Sequence, residues 1–384
     1  MKVNKRNPWH WVWLGLMTFN TLLAVLLRRF IASNNQVVLY GHKLNGNLGA
    51  IYRESLNYKE LSLTYFTMDY AYYRQLKSEG VLVAWAGSPQ ALRLLVKAKA
   101  LISDHGLHSL VLLLDYSSLK FIDVWHGIPF KGFDKHDLKV QRRYDEVWVV
   151  SEFMADLYEN KFGFKRQKLK VVGYARTDLL INPGKISRAE LMREYDIPVT
   201  DKKVILYAPT WKQDDAGRSL YPFDMVEAEF LRELSKMAEK HNCIFLTRMH
   251  LNAASKCSES FANVYTVPAD KYPDTERLLL LSDILVYDWS SIAFDFLLLN
   301  RPAIYLDVPP PFRKGFSLDG SYRYGEAVTD LAEFKAALAK AVETSEAGMP
   351  SINEHRKEIK TIVYERYADS LSSDRACQEI SRIV

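Results

Sequence analysis

The chain holds only three cysteines in 384 residues, Cys243, Cys257 and Cys377, scattered and without CxxC spacing. That count excludes a disulfide frame and a cysteine-built zinc site and fits a reducing compartment. Familiar catalytic signatures are missing as well: there is no GxxxxGK[ST] loop, no HExxH, no GxSxG and no GxGxxG after the first strand. An excess of one charge is also lacking, since 51 basic against 46 acidic residues leave only +5, and no basic run is interleaved with aromatics. Nucleic acid is therefore not an expected partner. Acidic residues nowhere take metal-ligand spacing, and Asp214-Asp215 reads as a solvated pair in a polar loop. No metal and no tightly bound cofactor are expected, while dependence on Mg2+ is left open. What the chain does have is 48% hydrophobic and 12% aromatic residues, enough to bury a large core divided between two domains.

Short apolar runs alternate with helical patterns from Gln36 onward, which is the signature of βα units and parallel sheets. Strands are expected at 37–40, 61–65, 81–84, 119–124, 146–150 and 170–172, with helices at 90–99 and 152–160 between them. A second series runs through 204–207, 243–246, 284–287 and 303–306. The turn Asn182-Pro183-Gly184 separates the two series. The fold class is α/β: two Rossmann-like domains facing a central cleft, with an apolar helix at the N-terminus. The expected boundaries are 1–34 for that helix, 35–182 for the first domain and 183–384 for the second.

Residues 9–27 carry no charge and are bracketed by Lys2, Lys5 and Arg6 before and by Arg28 and Arg29 after. Trp9, Trp11 and Trp13 are side chains enriched at the headgroup level of a bilayer, while Thr18, Asn20 and Thr21 dilute the apolar run. Three readings stand: a helix lying in the membrane face, a single span, and a buried helix of the soluble fold. No small-x-small cleavage site follows, which speaks against a signal peptide.

Candidate site residues sit just past strand ends, where open α/β sheets bind ligands. His126 ends the strand 119–124 within Trp125-His126-Gly127-Ile128-Pro129-Phe130-Lys131. It is a general base or a turn-capping histidine, with Gly127 leaving it exposed. After 204–207 come Thr210 and Trp211, a hydroxyl donor and a stacking face or simple packing. After 243–246 come Arg248 and His250, on one side of an extended segment, as a phosphate-binding pair or a surface pair. After 284–287 come Ser290 and Ser291, an anion site at a helix start or a plain N-cap. Asp295 in that helix's first turn suits the dipole without any ligand.

The ordered motifs resemble the CDP-glycerol glycerophosphotransferase family, whose members prime and polymerise teichoic acids and related capsular polymers. The pieces are Asn45-Gly46-Asn47, Trp125 to Lys131, Gly173-Tyr174-Ala175-Arg176-Thr177-Asp178, Leu206-Tyr207-Ala208-Pro209-Thr210-Trp211-Lys212, Arg248-Met249-His250, Asp288-Trp289-Ser290-Ser291-Ile292-Ala293-Phe294-Asp295 and Ser372-Ser373-Asp374-Arg375. Leu251, Ala175 and Trp289 depart from the usual pattern, where proline, proline and tyrosine are common. The resemblance implies a GT-B-like fold and places the family's two motif histidines on His126 and His250. It implies CDP-glycerol or CDP-ribitol as donor, held by the second half. The acceptor would be undecaprenyl-linked or polymeric, the membrane surface a partner, and the cytoplasmic face of the membrane the location, whether peripheral, monotopic or single-pass. On this reading an acceptor hydroxyl attacks the β-phosphorus and CMP leaves, with His126 as base. Arg248, His250, Ser290 and Ser291 hold the pyrophosphate, Arg176 being a weaker candidate. The alternatives are a GT-B glycosyltransferase using a nucleotide sugar and, behind it, a non-catalytic membrane-tethered scaffold.

Overall fold

A computed structural model describes residues 7–210, 221–248, 259–310, 314–346 and 354–384. The first of its two compact units contains seven parallel strands: β1 (Gln36–Tyr40), β2 (Ser62–Thr67), β3 (Val83–Trp85), β4 (Ala100–Ser103), β5 (Lys120–Asp123), β6 (Glu146–Val149) and β7 (Leu169–Val171). They are ordered β3-β2-β1-β4-β5-β6-β7, so the direction of strand addition reverses between β1 and β4. The helices of this unit are α1 (Pro8–Leu27), α2 (Gly46–Ser55), α3 (Tyr70–Ser78), α4 (Pro89–Lys97), α5 (Val111–Tyr116) and α6 (Glu152–Asn160). Crossover helices on both faces bury the central strand β1 from Val37 to Tyr40, which is why Val37-Val38-Leu39-Tyr40 is continuously apolar rather than alternating.

The second unit repeats the scheme with β8 (Lys203–Ala208), β9 (Cys243–Thr247), β10 (Val264–Thr266), β11 (Ile284–Tyr287), β12 (Ala303–Leu306) and β13 (Glu326–Val328), ordered β10-β9-β8-β11-β12-β13. Its reversal lies between β8 and β11. Helices α7 (Asp178–Ile181), α8 (Arg188–Glu194), α9 (Glu227–Lys240), α10 (Thr275–Leu281), α11 (Ile292–Leu297), α12 (Leu331–Glu346) and α13 (Glu354–Tyr364) accompany it. The last helix, α14 (Ser372–Ile383), returns to the first unit. Its first turn is held by Asp178, whose carboxylate accepts from the N–H groups of Ser372 (3.0 Å) and Ser373 (2.6 Å) and from the Ser373 hydroxyl (2.7 Å). A carboxylate on the free N–H groups of a helix start satisfies them and suits the dipole.

The described residues within 1–126, 135–178 and 369–384 form one unit, and those within 127–134 and 179–368 the other. The chain therefore leaves the first unit directly after His126 and re-enters it at Lys135. Neither this excursion nor the return of α14 enters the expected boundaries.

Helix α1 docks on the first unit through one face only. Met17, Asn20, Thr21, Ala24 and Val25 are buried, and Met17, Ala24 and Val25 join the core beside α4 and α5. Asn20 Nδ2 donates to the carbonyls of Ala86 (2.8 Å) and Ser88 (3.2 Å) at the start of α4. Arg28 Nη1 donates to those of Leu95, Val96 and Ala98 at its end (2.7–2.9 Å). The opposite arc stays exposed and wholly apolar, with Trp9 at 63%, Phe19 at 59% and Leu26 at 53%.

Candidate active site

The carboxyl edge of the first sheet carries an aromatic column at the β1/β4 reversal. His42 follows β1, His105 follows β4 and His126 follows β5, so the topology alone brings three imidazoles together. His42 and His105 have ring centroids 4.2 Å apart, His105 and His126 4.5 Å apart at an interplanar angle of 13°, and Trp125 covers the other side of His126 at 4.5 Å.

The peptide groups around His126 are fixed one by one. Trp125 takes φ = +45°, a left-handed conformation uncommon for a bulky side chain and found where surroundings over-determine it. Its N–H donates to Asp123 Oδ1 (2.9 Å), and its carbonyl accepts from Asn47 Nδ2 (3.0 Å), which also donates to the carbonyl of Val124 (2.8 Å). Asn47 Oδ1 in turn accepts from the N–H of Arg176 (3.1 Å), whose Nη1 donates to the carbonyl of His126 (2.7 Å). Asn47 is thus the pin that joins three of the sequence motifs, and only a side-chain amide offers both donors and an acceptor for those three bonds. Gly127 then takes φ = +152°, a conformation that L side chains rarely adopt.

His126 Nδ1 lies 3.0 Å from the carbonyl oxygen of Asp104. A carbonyl only accepts, so Nδ1 bears the proton and Nε2 keeps its lone pair. The ring remains solvent-accessible. Desolvation by the protein around it, and then the neighbouring His105, push its basicity well below that of a free imidazole, so the neutral, proton-accepting form prevails. Desolvation and His105 push His42 down in the same way. Asp123, beneath the turn, is pushed up to about 7 by burial, and its Oδ2 has no hydrogen-bond partner.

The second sheet's reversal is built differently. Thr210 follows β8 and Asp288 follows β11, and Asp288 Oδ1 accepts from the N–H (2.7 Å) and hydroxyl (2.5 Å) of Thr210 and from the N–H of Trp289 (2.5 Å). Trp289 is packed against Phe316 (4.6 Å) and Phe130 (5.9 Å), with the Arg323 guanidinium 3.8 Å over its ring. Phe130 belongs to the segment that follows His126, so the second unit grips that segment by stacking and by Gly132 N–H donating to the carbonyl of Gly315 (2.8 Å).

Arg248 is buried, its Nη1 donating to the carbonyl of Tyr272 (2.5 Å) and its Nη2 to the Thr275 hydroxyl (3.4 Å). The guanidinium faces the protein's own acceptors. Asp295 is likewise interior, with the Tyr364 hydroxyl 3.5 Å from its Oδ1. Ser290 and Ser291 stand partly exposed before α11, a six-residue helix that Ser291 does not cap through its side chain. Trp211 and His250 lie outside the described residues. Among the described residues, no three His, Cys, Asp or Glu side chains gather to hold a metal ion.

The structure brings together His126, Arg176 and Gly127 of the expected set in one place, and Thr210, Ser290 and Ser291 in another. Sequence reasoning gave no individual role to Asp104, His105, His42, Asn47, Asp123 or Asp288, although Asn47 and Asp288 lie within the quoted motifs. One signal was there: Asp104-His105-Gly106 closes an apolar run, as Trp125-His126-Gly127 does.

The model of the CDP-glycerol:poly(glycerophosphate) glycerophosphotransferase family matches residues 22–382. The chain belongs to that family. It is 30% identical over 293 residues to the teichoic acid glycerol-phosphate transferase of Staphylococcus aureus, covering 68% of this chain and 70% of that one. With the teichoic acid ribitol-phosphate polymerase TarK of the same organism it shares 25% identity over 283 residues, 69% of this chain but only 53% of the relative. The chain thus spans most of the first relative and about half of the polymerase. In fold it is similar to the wall teichoic acid polymerase TagF, with a TM-score of 0.73 at 18% identity over 95% of this chain and 93% of that one. A UDP-GlcNAc 2-epimerase from Neisseria meningitidis shares the architecture more distantly, with a TM-score of 0.54 at 12% identity over 92% of this chain and 100% of that one. The GT-B-like fold is therefore common to unlike chemistries, and family membership and site geometry carry the functional argument.

Proposed function

We propose that this enzyme transfers glycerol phosphate or ribitol phosphate from a CDP-alcohol to a hydroxyl of a lipid-linked or polymeric acceptor. The acceptor oxygen attacks the β-phosphorus, a new P–O bond forms, the bond to the bridging oxygen breaks, and CMP leaves with those electrons. The hydroxyl proton passes to Nε2 of His126. The observation that carries this reading is the fixed, neutral imidazole whose single open nitrogen stands at the carboxyl edge of the first sheet, at a strand end beside the reversal. Ser290 and Ser291, partly exposed at the second reversal, offer hydroxyl groups to the diphosphate, beside Thr210, whose own N–H and hydroxyl are held by Asp288. Phosphoryl transfer depends on such positioning and charge stabilisation more than on covalent chemistry. Arg248 serves the donor site indirectly, by holding the chain after β9 to Tyr272 and Thr275. Incubation with radiolabelled CDP-glycerol and CDP-ribitol, with and without a lipid-linked acceptor, should release CMP in step with acceptor labelling. Release of a nucleoside diphosphate from a nucleotide sugar instead would favour a glycosyltransferase.

Helix α1 would hold the enzyme on the cytoplasmic face of the membrane as a monotopic anchor. It is apolar and long enough to cross a bilayer, but Asn20 and the capping Arg28 are bonded to carbonyls around α4, Thr18 and Thr21 to the helix's own carbonyls, and the exposed arc left for lipid is apolar. It runs parallel to α4, because Asn20 meets the start of α4 and Arg28 its end. Its twelve residues before Asn20, roughly 18 Å of helix at 1.5 Å per residue, extend beyond the start of α4, on the side of the sheet's carboxyl edge. The anchor thus lies beside the edge where a lipid-linked hydroxyl must arrive. Replacing Trp9, Phe19 and Leu26 together with glutamine should cut binding to anionic vesicles at least tenfold with an unchanged melting temperature. Retained vesicle binding would remove α1 from the interface.

A further inference from the structure

Asp104 and His105 belong to neither of the expected motifs, yet one residue of the pair touches both imidazoles beside it. The Asp104 main-chain carbonyl takes the Nδ1 proton of His126 at 3.0 Å, and its carboxylate pairs with Nδ1 of His105 at 2.7 Å. Asp104 is itself buried. The space for it comes from Gly41 at the end of β1, where a Cβ would stand 2.4 Å from Asp104 Oδ1 and 2.7 Å from Leu48 Cδ1. A glycine, a carboxylate, a second imidazole and the base are therefore packed as one assembly, drawn from the ends of β1, β4 and β5.

We propose that Asp104 and His105 are positioning residues that set the tautomer, the ring plane and the proton occupancy of His126, making Nε2 a free base over a wider pH range than a lone imidazole would allow. The proposal rests on the reading of His126 as the base. Three rings at 4.2 Å and 4.5 Å cannot each hold a charge without strong mutual repulsion. The Asp104 carboxylate lies at Nδ1 of His105, where it favours a proton, whereas burial and then the neighbouring His105 disfavour one on His42 and on His126. A proton at His105 repels a second one at His126, and that repulsion leaves the Nε2 lone pair available to the acceptor hydroxyl.

The charged and titratable groups around His126 are few and come from every element packed on it. His42 approaches from β1, Asp104 and His105 from β4, and the buried Asp123 lies in the strand beneath. Arg176 reaches the His126 carbonyl, and His108 lies farther along the β4 loop, its Nδ1 bonded to the Tyr40 hydroxyl at 2.7 Å. Arg176 adds a fixed positive charge that also disfavours protonation of His126, so the expected effect of His105 is a part of the whole.

The test is the pH profile of kcat/KM for CMP release with the full-length protein, using CDP-glycerol and a lipid-linked acceptor. Asp104→Asn keeps the main-chain carbonyl and so the His126 tautomer, while removing the carboxylate that favours a proton on His105. His105→Phe keeps a flat ring in the stack and removes its charge. Both variants should retain turnover at pH 8.5 and move the acid limb upward by about one pH unit, since loss of a neighbouring like charge raises a basic group's pKa. A merely structural role would lower the plateau and leave the limb where it is, and that result overturns the proposal. His126→Ala separates the two claims: if it retains turnover, the base assignment itself is wrong, whereas an inactive His126→Ala beside unmoved limbs in the other variants removes only the role of Asp104 and His105. Should Asp104→Asn fail to fold, the His105→Phe profile decides.

Discussion

The two sheets reverse at equivalent places and use the space there in opposite ways. At the first reversal an exposed His126 stands on a buried, left-handed Trp125 in a stack of three imidazoles, with Nδ1 bonded and Nε2 left as an acceptor. At the second the strong charges turn inward, with Asp288 clamping Thr210 and Trp289 and Arg248 bonded to its own chain. Charged groups already satisfied by the protein shape a surface, whereas a titratable group with one free nitrogen can exchange a proton. The same strand-end grammar thus yields, on the proposed reading, a reactive edge in one unit and a moulded, hydroxyl-lined edge in the other.

The comparison breaks most visibly at His126. His126→Ala should lower turnover by roughly 100- to 10,000-fold, the range contributed by a positioned base. CDP binding, followed calorimetrically, should stay within a few-fold of the parent if the donor sits, as proposed, on the second unit. A variant with near-parental rates would put the reactive edge elsewhere. Its stability should not fall, since the ring is accessible to solvent and its protonation is disfavoured by desolvation and His105. The sign follows from linkage. A histidine whose folded-state pKa is depressed supports the fold fully above the unfolded value of 6.5 and withdraws that support as pH falls below it, because the unfolded chain then binds the extra proton.

How much of this was legible beforehand varies with the local signal. Helix α6 matches the expected 152–160, since Ser151 is an N-cap and the apolar spacing is plain. Strand β4 escaped notice because nothing punctuates its start: Ala98 ends α4 and β4 begins at Ala100 without a glycine or proline between. That omission hid His105, whose importance depends entirely on β4 lying between β1 and β5. Asn47 was visible as part of a motif, but its role as a three-way pin needs the return of residues 173–178 to α2, which no local pattern encodes. The same holds for Arg248 and Asp295. Residue type and position past a strand suggested ligands, and burial against carbonyls and Tyr364 is a tertiary outcome. Strands β10 and β13 are three-residue edge strands with exposed faces, too short for a periodic signal.

The second edge should fail by a different route when its clamp is removed. Asp288→Ala strips one buried carboxylate of three donors, leaving the N–H groups of Thr210 and Trp289 without their acceptor. Unsatisfied buried donors cost about 1–3 kcal/mol each, and at about 2–4 °C per kcal/mol for a unit of this size the melting temperature should drop by about 5 °C or more. Donor KM should rise with the loosened Thr210, while turnover at saturating donor falls less than tenfold, because His126, the proposed base, is untouched. Asp288→Asn, which keeps an acceptor oxygen, should recover most of the lost stability. A collapse of saturating turnover in a variant that still melts normally would show that Asp288 faces the reaction, and the division between a reactive and a moulded edge would have to be abandoned.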